Sequence, residues 1–214
     1  PGGDPNVAEK IITLCRANRF NFRVIVANYA KSAATLICLA ANTIIMGDTS
    51  ELGPIDPQVI GPKIPRMLPA RCYIDSYNRL VDEVNKAGQL KPAYVPLLAN
   101  IDLAFIDYCE KAMKHTKFLA EKWLKDFMLR GANNNKIEEV VKKLLSTHAH
   151  GQVINWEQAK DIGLQVEYLP PDNRLWQLIW ELYCRSELYL RYSRKTKLFE
   201  NDTISLEIAV RSGG

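Results

Sequence analysis

The segment from residue 22 to residue 46 contains two short apolar runs separated by a stretch of small residues. Residues 22–27 are rich in β-branched side chains and predict a buried strand, and residues 43–46 predict a second one. The alanine-rich stretch between them, residues 33–41, predicts a helix. Strand, helix and strand in such close succession indicate a parallel sheet with covered faces, and therefore an α/β fold.

The remaining chain alternates between helical periodicity and loop signals. Residues 50–69 are rich in proline and glycine and predict a loop or irregular edge structure. Helices are predicted over residues 6–18, 74–87, 103–130, 136–145 and 155–161, and strands over residues 165–169 and 203–210. Long helices are thus expected to be added to the sheet.

Pro170 and Pro171 mark a predicted boundary. We expect residues 1–170 to form the main domain and residues 171–214 to form a helix and strand extension at an interface. The extension carries an aromatic stripe from residue 175 to residue 188, which favours packing on the domain or on a second subunit. A partner-facing or membrane-facing helix over residues 173–197 is the alternative. Because the chain starts at Pro1 without methionine, we also expect a strand upstream of it.

Charge and cysteine usage exclude several classes of function. A net charge of +4, spread along the chain, does not favour nucleic-acid binding. Five cysteines without a CxxC pair suggest free thiols and a cytoplasmic protein, unless an upstream anchor attaches it to a membrane. The three histidines do not sit near a cysteine at zinc-ligand spacing, so we expect no zinc site. The acyl-transfer chemistry considered below calls for no metal or organic cofactor.

Ser32 is placed where a predicted strand passes into the alanine-rich helix. Small neighbours allow a substrate backbone to approach, and the helix start directs free N–H groups at the same place. An acyl-transfer nucleophile needs an exposed hydroxyl and donors aimed at a developing oxyanion. The alternative is a serine that only caps the helix.

Gly2 and Gly3 supply a second feature of such a site. Two consecutive glycines allow backbone N–H groups to face a cleft without obstruction by side chains, although a plain turn has the same composition.

These features together carry a family resemblance. Four stretches of the chain resemble the serine dehydrogenase proteinase family. They are the Pro-Gly-Gly start, YAKSAATLICLAANTIIMG (29–47), SELGPIDPQ (50–58) and HAHGQVINWEQAKDIGL (148–164). That family belongs to the Clp-protease/crotonase clan and is related to signal peptide peptidase A. The resemblance covers residues 1 to about 170. It implies a Clp-protease/crotonase-like parallel sheet of repeated β-β-α units.

The resemblance also implies a catalytic triad in the chain order Ser, Asp, His. When the family's roles are transferred to this sequence, Ser32 is the nucleophile, Asp56 orients the imidazole and His150 is the base. The backbone N–H groups of Gly2, Gly3 and Ala33 would form the oxyanion hole. Geometry rather than chain order defines a triad, so this order is acceptable.

Each assignment has an alternative. Asp56 could brace a turn, and His148 could replace His150 as the base. Lys31 is another alternative base, because signal peptide peptidase A uses a Ser–Lys pair; a lysine next to the serine usually projects away from it. His115 lies among lysines and reads as a surface residue.

The resulting expectation is a serine peptidase that acts on extended polypeptide and assembles into a homo-oligomer. A coenzyme-A thioester enzyme of crotonase type is one alternative, since that fold also holds enolates with paired N–H groups. A non-catalytic scaffold is the other. Ala34, where a glycine is common in the clan, favours the scaffold modestly.

Overall fold

In the computed structural model, helices and short strands alternate along the chain, and the structure describes residues 2–17, 21–62, 66–145 and 153–209. The strands are β1 (Arg23–Val26), β2 (Tyr29–Ala30), β3 (Thr43–Met46), β4 (Glu51–Leu52), β5 (Gln58–Ile60), β6 (Met67–Pro69), β7 (Val166–Tyr168), β8 (Lys195–Glu200) and β9 (Ser205–Ala209). The helices are α1 (Pro5–Arg16), α2 (Ala33–Leu39), α3 (Ala70–Ala87), α4 (Val95–Leu98), α5 (Leu103–Trp123), α6 (Asn134–Leu145), α7 (Trp156–Ile162) and α8 (Arg174–Tyr192). The predicted α/β class is confirmed.

The strands pair in a repeating order. β1, β3 and β7 form a parallel sheet in that order, and β2 and β4 form a separate parallel pair. The first strand of one unit therefore pairs with the first strand of the next, and the second with the second. This arrangement is the repeated β-β-α unit that the resemblance implies. It places β2 and β4 side by side, and β2 leads directly to the start of α2.

Two regions contain more strand than the sequence indicates. Tyr29 and Ala30, which lie between the predicted strand and the predicted helix, form β2. The proline-rich stretch 50–69 contains β4 and the antiparallel pair of β5 and β6. These strands are only two or three residues long, which is too short to produce a recognisable alternation.

The helix boundaries follow local chemistry. Asp4 caps α1 by accepting a hydrogen bond from the Asn6 N–H at 2.8 Å. A capping box starts α7: the Asn155 side chain accepts from the Gln158 N–H, and the Gln158 side chain accepts from the Asn155 N–H. The helix predicted over 103–130 ends at Trp123 and continues as a π-helical turn, Leu124–Met128.

The core lies between the β1-β3-β7 sheet and the helices α2, α5 and α6. Its fully buried side chains include Leu36, Leu39, Ile44, Met46, Leu119, Leu124, Val140 and Leu144. One face of α2 is thus fixed by packing, which holds the residues at its start in place.

The tail packs against the domain through one face of α8. The ring of Trp176 is buried against Gly47, where a Cβ would lie 2.3 Å from the ring. On the opposite face Leu178 and Leu182 are exposed. β8 and β9 form an antiparallel hairpin, and β8 is a strand that the sequence analysis did not predict. None of the described helices is both long enough and apolar enough to cross a lipid bilayer.

Candidate active site

Ser32 joins β2 to α2 in a backbone conformation that side chains rarely adopt. Its φ is 51° and its ψ is −117°, and Arg194 is the only other described non-glycine residue with a positive φ. A residue held in such a region costs roughly 1–3 kcal/mol and persists only where its surroundings impose it. A sharp strand-to-helix turn of this kind is how a nucleophilic serine is exposed in hydrolases.

The hydroxyl of Ser32 does not serve as a helix cap. Its side chain accepts no hydrogen bond from the first turn of α2. The backbone holds the residue instead: its N–H donates to the Pro54 carbonyl at 3.1 Å, and its carbonyl accepts from the Leu36 N–H at 3.1 Å. The capping alternative therefore does not describe this serine.

Gly2 lies directly against Ser32. A Cβ placed on Gly2 would lie 3.0 Å from the Lys31 carbonyl oxygen and 3.1 Å from Ser32 Cβ. A Cβ on Gly3 would meet no atom within 4 Å. The structure thus brings the start of the diglycine together with the start of the alanine-rich helix, and Gly3 borders open space.

Ala33 occupies the first position of α2, where helix geometry supplies no acceptor for its N–H. The neighbouring N–H of Ala34 donates to the Lys31 carbonyl at 3.0 Å. Within the described residues, the N–H of Ala33 makes no hydrogen bond to a backbone carbonyl. This donor is therefore available beside Ser32.

Asp56 lies in the short connection between β4 and β5. It is 5% exposed, and the Gln58 side-chain amide donates to its Oδ2 at 3.4 Å. Pro54, two residues earlier, accepts the N–H of Ser32. The Asp56 connection and the Ser32 turn are thus fastened to each other through the backbone.

His148 and His150 fall in residues 146–152, outside the described part of the chain. The residues on both sides of that segment are described. Leu144 accepts the N–H of Ile55 at 3.3 Å, and Ile154 pairs with Leu52 through hydrogen bonds of 2.9 and 3.0 Å. Both flanks are therefore attached to the stretch that leads to Asp56. His115 is exposed on α5, as expected.

Lys31 is directed at an acidic partner. Its Nζ lies 2.9 Å from Glu51 Oε1 in a half-buried ion pair, and its side chain packs against Gly53. The geometry of the Nζ contact is that of an ion pair rather than a hydrogen bond. The amine is engaged by Glu51, so the structure gives no support to Lys31 as the alternative base.

Two cysteines, Cys38 and Cys109, are buried and free. Burial raises the pKa of the Cys38 thiol, on α2, to about 12. Burial also raises the pKa of Cys109, on α5. A raised pKa keeps a thiol protonated and poorly nucleophilic. In the parts of the chain that the structure describes, no three His, Cys, Asp or Glu side chains are grouped to hold a metal ion.

Thr35 is a site neighbour that the sequence analysis did not single out. Its hydroxyl is fully buried one turn after Ser32, between the carbonyls of Ala30 and Gly53. A lone hydroxyl in an otherwise apolar helix was the available signal.

Comparisons with known proteins identify the family of the chain. The family model described as ClpP-like SDH-type serine proteinase matches residues 1–190. The match extends beyond residue 170, where the motif resemblance ends, and reaches into α8.

Two relatives come from Methanocaldococcus jannaschii. Uncharacterized protein MJ1495 is 28% identical over 184 residues, which are 86% of this chain and 54% of that protein. Uncharacterized protein MJ0137 is 30% identical over 190 residues, which are 88% of this chain and 56% of that protein. The chain thus spans about half the length of the curated relatives it matches. No solved structure gives a significant match.

Proposed function

The chain belongs to the ClpP-like SDH-type serine proteinase family, and from that premise we propose that it is a serine peptidase that cleaves extended polypeptide through an acyl-enzyme. Ser32 is the nucleophile, His150 is the general base and Asp56 orients the imidazole. The substrate class and the assembly of the whole protein are part of this proposal, as is a homo-oligomeric state.

The observation that carries the proposal is the conformation of Ser32. A positive φ at a non-glycine residue, with a hydroxyl that caps nothing, is unfavourable for stability alone. The strain has a chemical use, because the turn presents the hydroxyl beside backbone donors.

The mechanism starts with attack of Ser32 Oγ on the peptide carbonyl carbon while His150 accepts the hydroxyl proton. The carbonyl oxygen becomes an oxyanion that the N–H groups of Ala33 and of Gly2 or Gly3 stabilise. Such a donor is worth about 3 kcal/mol in the barrier. Collapse breaks the C–N bond, and the imidazolium returns the proton to the leaving amine. Water, activated by the same imidazole, then hydrolyses the ester.

The position of the base is supported by its flanks. Leu144 and Ile154 both contact the stretch between Leu52 and Ile55, and Asp56 follows directly. In the sequence, His148 and His150 fall between those two anchors, which supports a base that works with Asp56. The choice of His150 over His148 follows from the motif resemblance.

A fluorophosphonate probe tests this proposal, because it phosphonylates a serine only when a base activates it. The full chain should be labelled at Ser32, as located by peptide mass spectrometry. Labelling should disappear in Ser32→Ala and fall at least about 1,000-fold in rate in His150→Ala. Ser76→Ala, which removes an exposed hydroxyl on α3, should label normally.

Other outcomes have defined meanings. Labelling that is lost in His148→Ala and kept in His150→Ala would transfer the role of base to His148. No labelling of folded wild-type protein would contradict the peptidase and leave the scaffold or coenzyme-A alternatives. Hydrolysis of an unfolded fluorescent casein, lost in Ser32→Ala, would establish the substrate class.

A further inference from the structure

Thr35 places a fully buried hydroxyl at the junction of three segments of the candidate active site. Its Oγ1 lies 2.8 Å from the Ala30 carbonyl oxygen and 2.9 Å from the Gly53 carbonyl oxygen. The side chain is 0% exposed. One hydroxyl proton is thus shared between two carbonyls that belong to different strand ends.

The two carbonyls bracket the site. Ala30 ends β2 and is followed by Lys31 and Ser32, whereas Gly53 follows β4 and leads to Asp56. The Gly53 N–H also donates to the Ala30 carbonyl at 2.8 Å, and the Ser32 N–H donates to the Pro54 carbonyl at 3.1 Å. Through the hydroxyl of Thr35, the helix α2 also bonds to the two segments that this backbone contact joins.

Packing alone does not explain a threonine at this position. The buried side chains near it on α2 are apolar, among them Ala33, Leu36 and Leu39. Valine has the same shape, contributes the same apolar surface and brings no hydroxyl to desolvate. The hydroxyl is therefore retained for the hydrogen bonds it makes, and these bonds fix the spacing between the two strand ends.

We propose that Thr35 is a positioning residue that fixes the strained Ser32 turn against the Asp56 connection. This inference rests on the proposed peptidase function. When the hydroxyl is absent, the Gly53 carbonyl loses a buried donor, and the segment from Gly53 to Asp56 moves to find another. The Ser32 hydroxyl then loses its alignment with the triad partner and with the Ala33 N–H. A misplacement of about 1 Å can lower a catalytic rate about 100-fold.

The test uses three variants of the full chain. Thr35→Val removes the hydroxyl and keeps the shape, and Thr35→Ser keeps the hydroxyl. Thr116→Val makes the same exchange at a buried position on a different helix, α5. Each variant is titrated with the fluorophosphonate probe, and both the rate constant and the fraction of protein labelled are recorded.

We expect the labelling rate of Thr35→Val to fall about 100-fold with the labelled fraction near that of the wild type. Thr35→Ser should recover the rate to within about threefold, and Thr116→Val should match the wild type. The labelling rate of Thr35→Val should keep the pH profile of the wild type, because no titrating group is removed. A smaller labelled fraction at an unchanged rate would show a role in folding only and would overturn the proposal.

Amide hydrogen exchange separates this inference from the proposed function. Thr35→Val should speed exchange at the Ser32 and Gly53 amides, and Thr116→Val should not. If wild-type Ser32 is not labelled, the peptidase proposal fails, and fast exchange in Thr35→Val alone still supports positioning of the turn. Unchanged exchange together with an unchanged labelling rate would overturn the role of Thr35.

Discussion

The backbone at Ser32 carries strain that glycine in the same place would not. With φ at 51°, Ser32→Gly should relieve it, whereas Ser32→Ala should keep it. Glycine is ordinarily preferred over alanine at a helix start. We expect the free energy of unfolding of Ser32→Gly to exceed that of Ser32→Ala by about 1–3 kcal/mol more than this ordinary preference gives. Urea denaturation of the two variants measures this difference.

Asp102 provides the control, because it caps α5 with an extended φ of −93° and accepts a hydrogen bond from the Phe105 N–H. At such a helix start glycine is already better than alanine, by about 0.5–1 kcal/mol. A glycine–alanine gap at position 32 no larger than the gap at position 102 would mean that the turn at Ser32 is not strained.

The two glycines at the start of the chain are not equivalent. A Cβ on Gly2 would press on Lys31 and Ser32, and a Cβ on Gly3 would reach open space. Gly2→Ala should therefore slow fluorophosphonate labelling of Ser32 at least about tenfold, because it displaces an oxyanion donor or the nucleophile. Gly3→Ala should stay within about threefold of the wild type. Equal effects of the two variants would contradict the conclusion that only Gly2 is packed against the Ser32 turn.

At this scale, the sequence identified the residue types but not their geometry. Ser32 was found because a strand, a serine and an alanine-rich helix occur in succession. Its positive φ could not be predicted, since no glycine or asparagine signals it. Thr35 was missed because its hydroxyl bonds to Gly53, a contact that depends on the pairing of β2 with β4.

Among the elements, α1 and α2 are joined at their C-terminal ends by Arg16. Its Nε donates to the Ala40 carbonyl at 2.9 Å, its Nη1 donates to Asn42 Oδ1 at 2.8 Å, and its guanidinium lies 4.0 Å from the centre of the Phe127 ring. We expect Arg16→Met to lower the free energy of unfolding by about 2–3 kcal/mol, since the partly buried acceptors Ala40 and Asn42, just after α2, lose a charged donor. Thermal and urea unfolding measure the loss.

Arg16→Lys should recover little of this stability, because an ammonium lacks the planar fork that serves both acceptors. Arg185→Met is the comparison: it removes an exposed i,i+4 ion pair with Glu181 and should cost about 0.5 kcal/mol or less. Similar losses for Arg16→Met and Arg185→Met would show that the Arg16 contacts do not hold the helices together.

The sequence predicted the elements that have a hydrophobic period over many residues. It did not predict the short strands, which form only because they pair with another strand. Helices α3, α5 and α6 were all predicted, because a helical stripe over ten or more residues is hard to mistake. β2 and β4 were missed because each is two residues long and exists only through its partner. β8 was missed because Lys195, Lys197 and Glu200 interrupt its apolar residues.

For the whole molecule, the sequence predicted the architecture through the order of its units. Two apolar strands around a small helix implied a parallel sheet, and β1, β3 and β7 form it. The boundary at residue 170 stays a prediction. Trp176, beyond that boundary, packs against Gly47 within the predicted main domain, so α8 and the sheet share a buried contact that spacing along the chain could not reveal.

Global stability should depend on pH through Cys38 at the alkaline end. An ordinary thiol ionises near pH 9.0, whereas burial raises the pKa of Cys38 to about 12 in the folded protein. Between these values the unfolded chain releases a proton that the folded protein keeps. The free energy of unfolding therefore falls with rising pH, by about 1.4 kcal/mol per unit from this group. Below pH 9 the contribution to stability is fully present.

Cys38→Ala should show a shallower decline than the wild type when urea unfolding is measured at pH 8, 9.5 and 10.5, even if the cavity lowers its stability at every pH. Cys72→Ala, which removes an exposed thiol on α3, should decline in parallel with the wild type. Other groups titrate in this range in all three proteins, so the difference in slope reports Cys38 alone. Parallel curves for Cys38→Ala and the wild type would mean that the thiol ionises within the fold, and α2 would then be less tightly enclosed than its packing against the sheet requires.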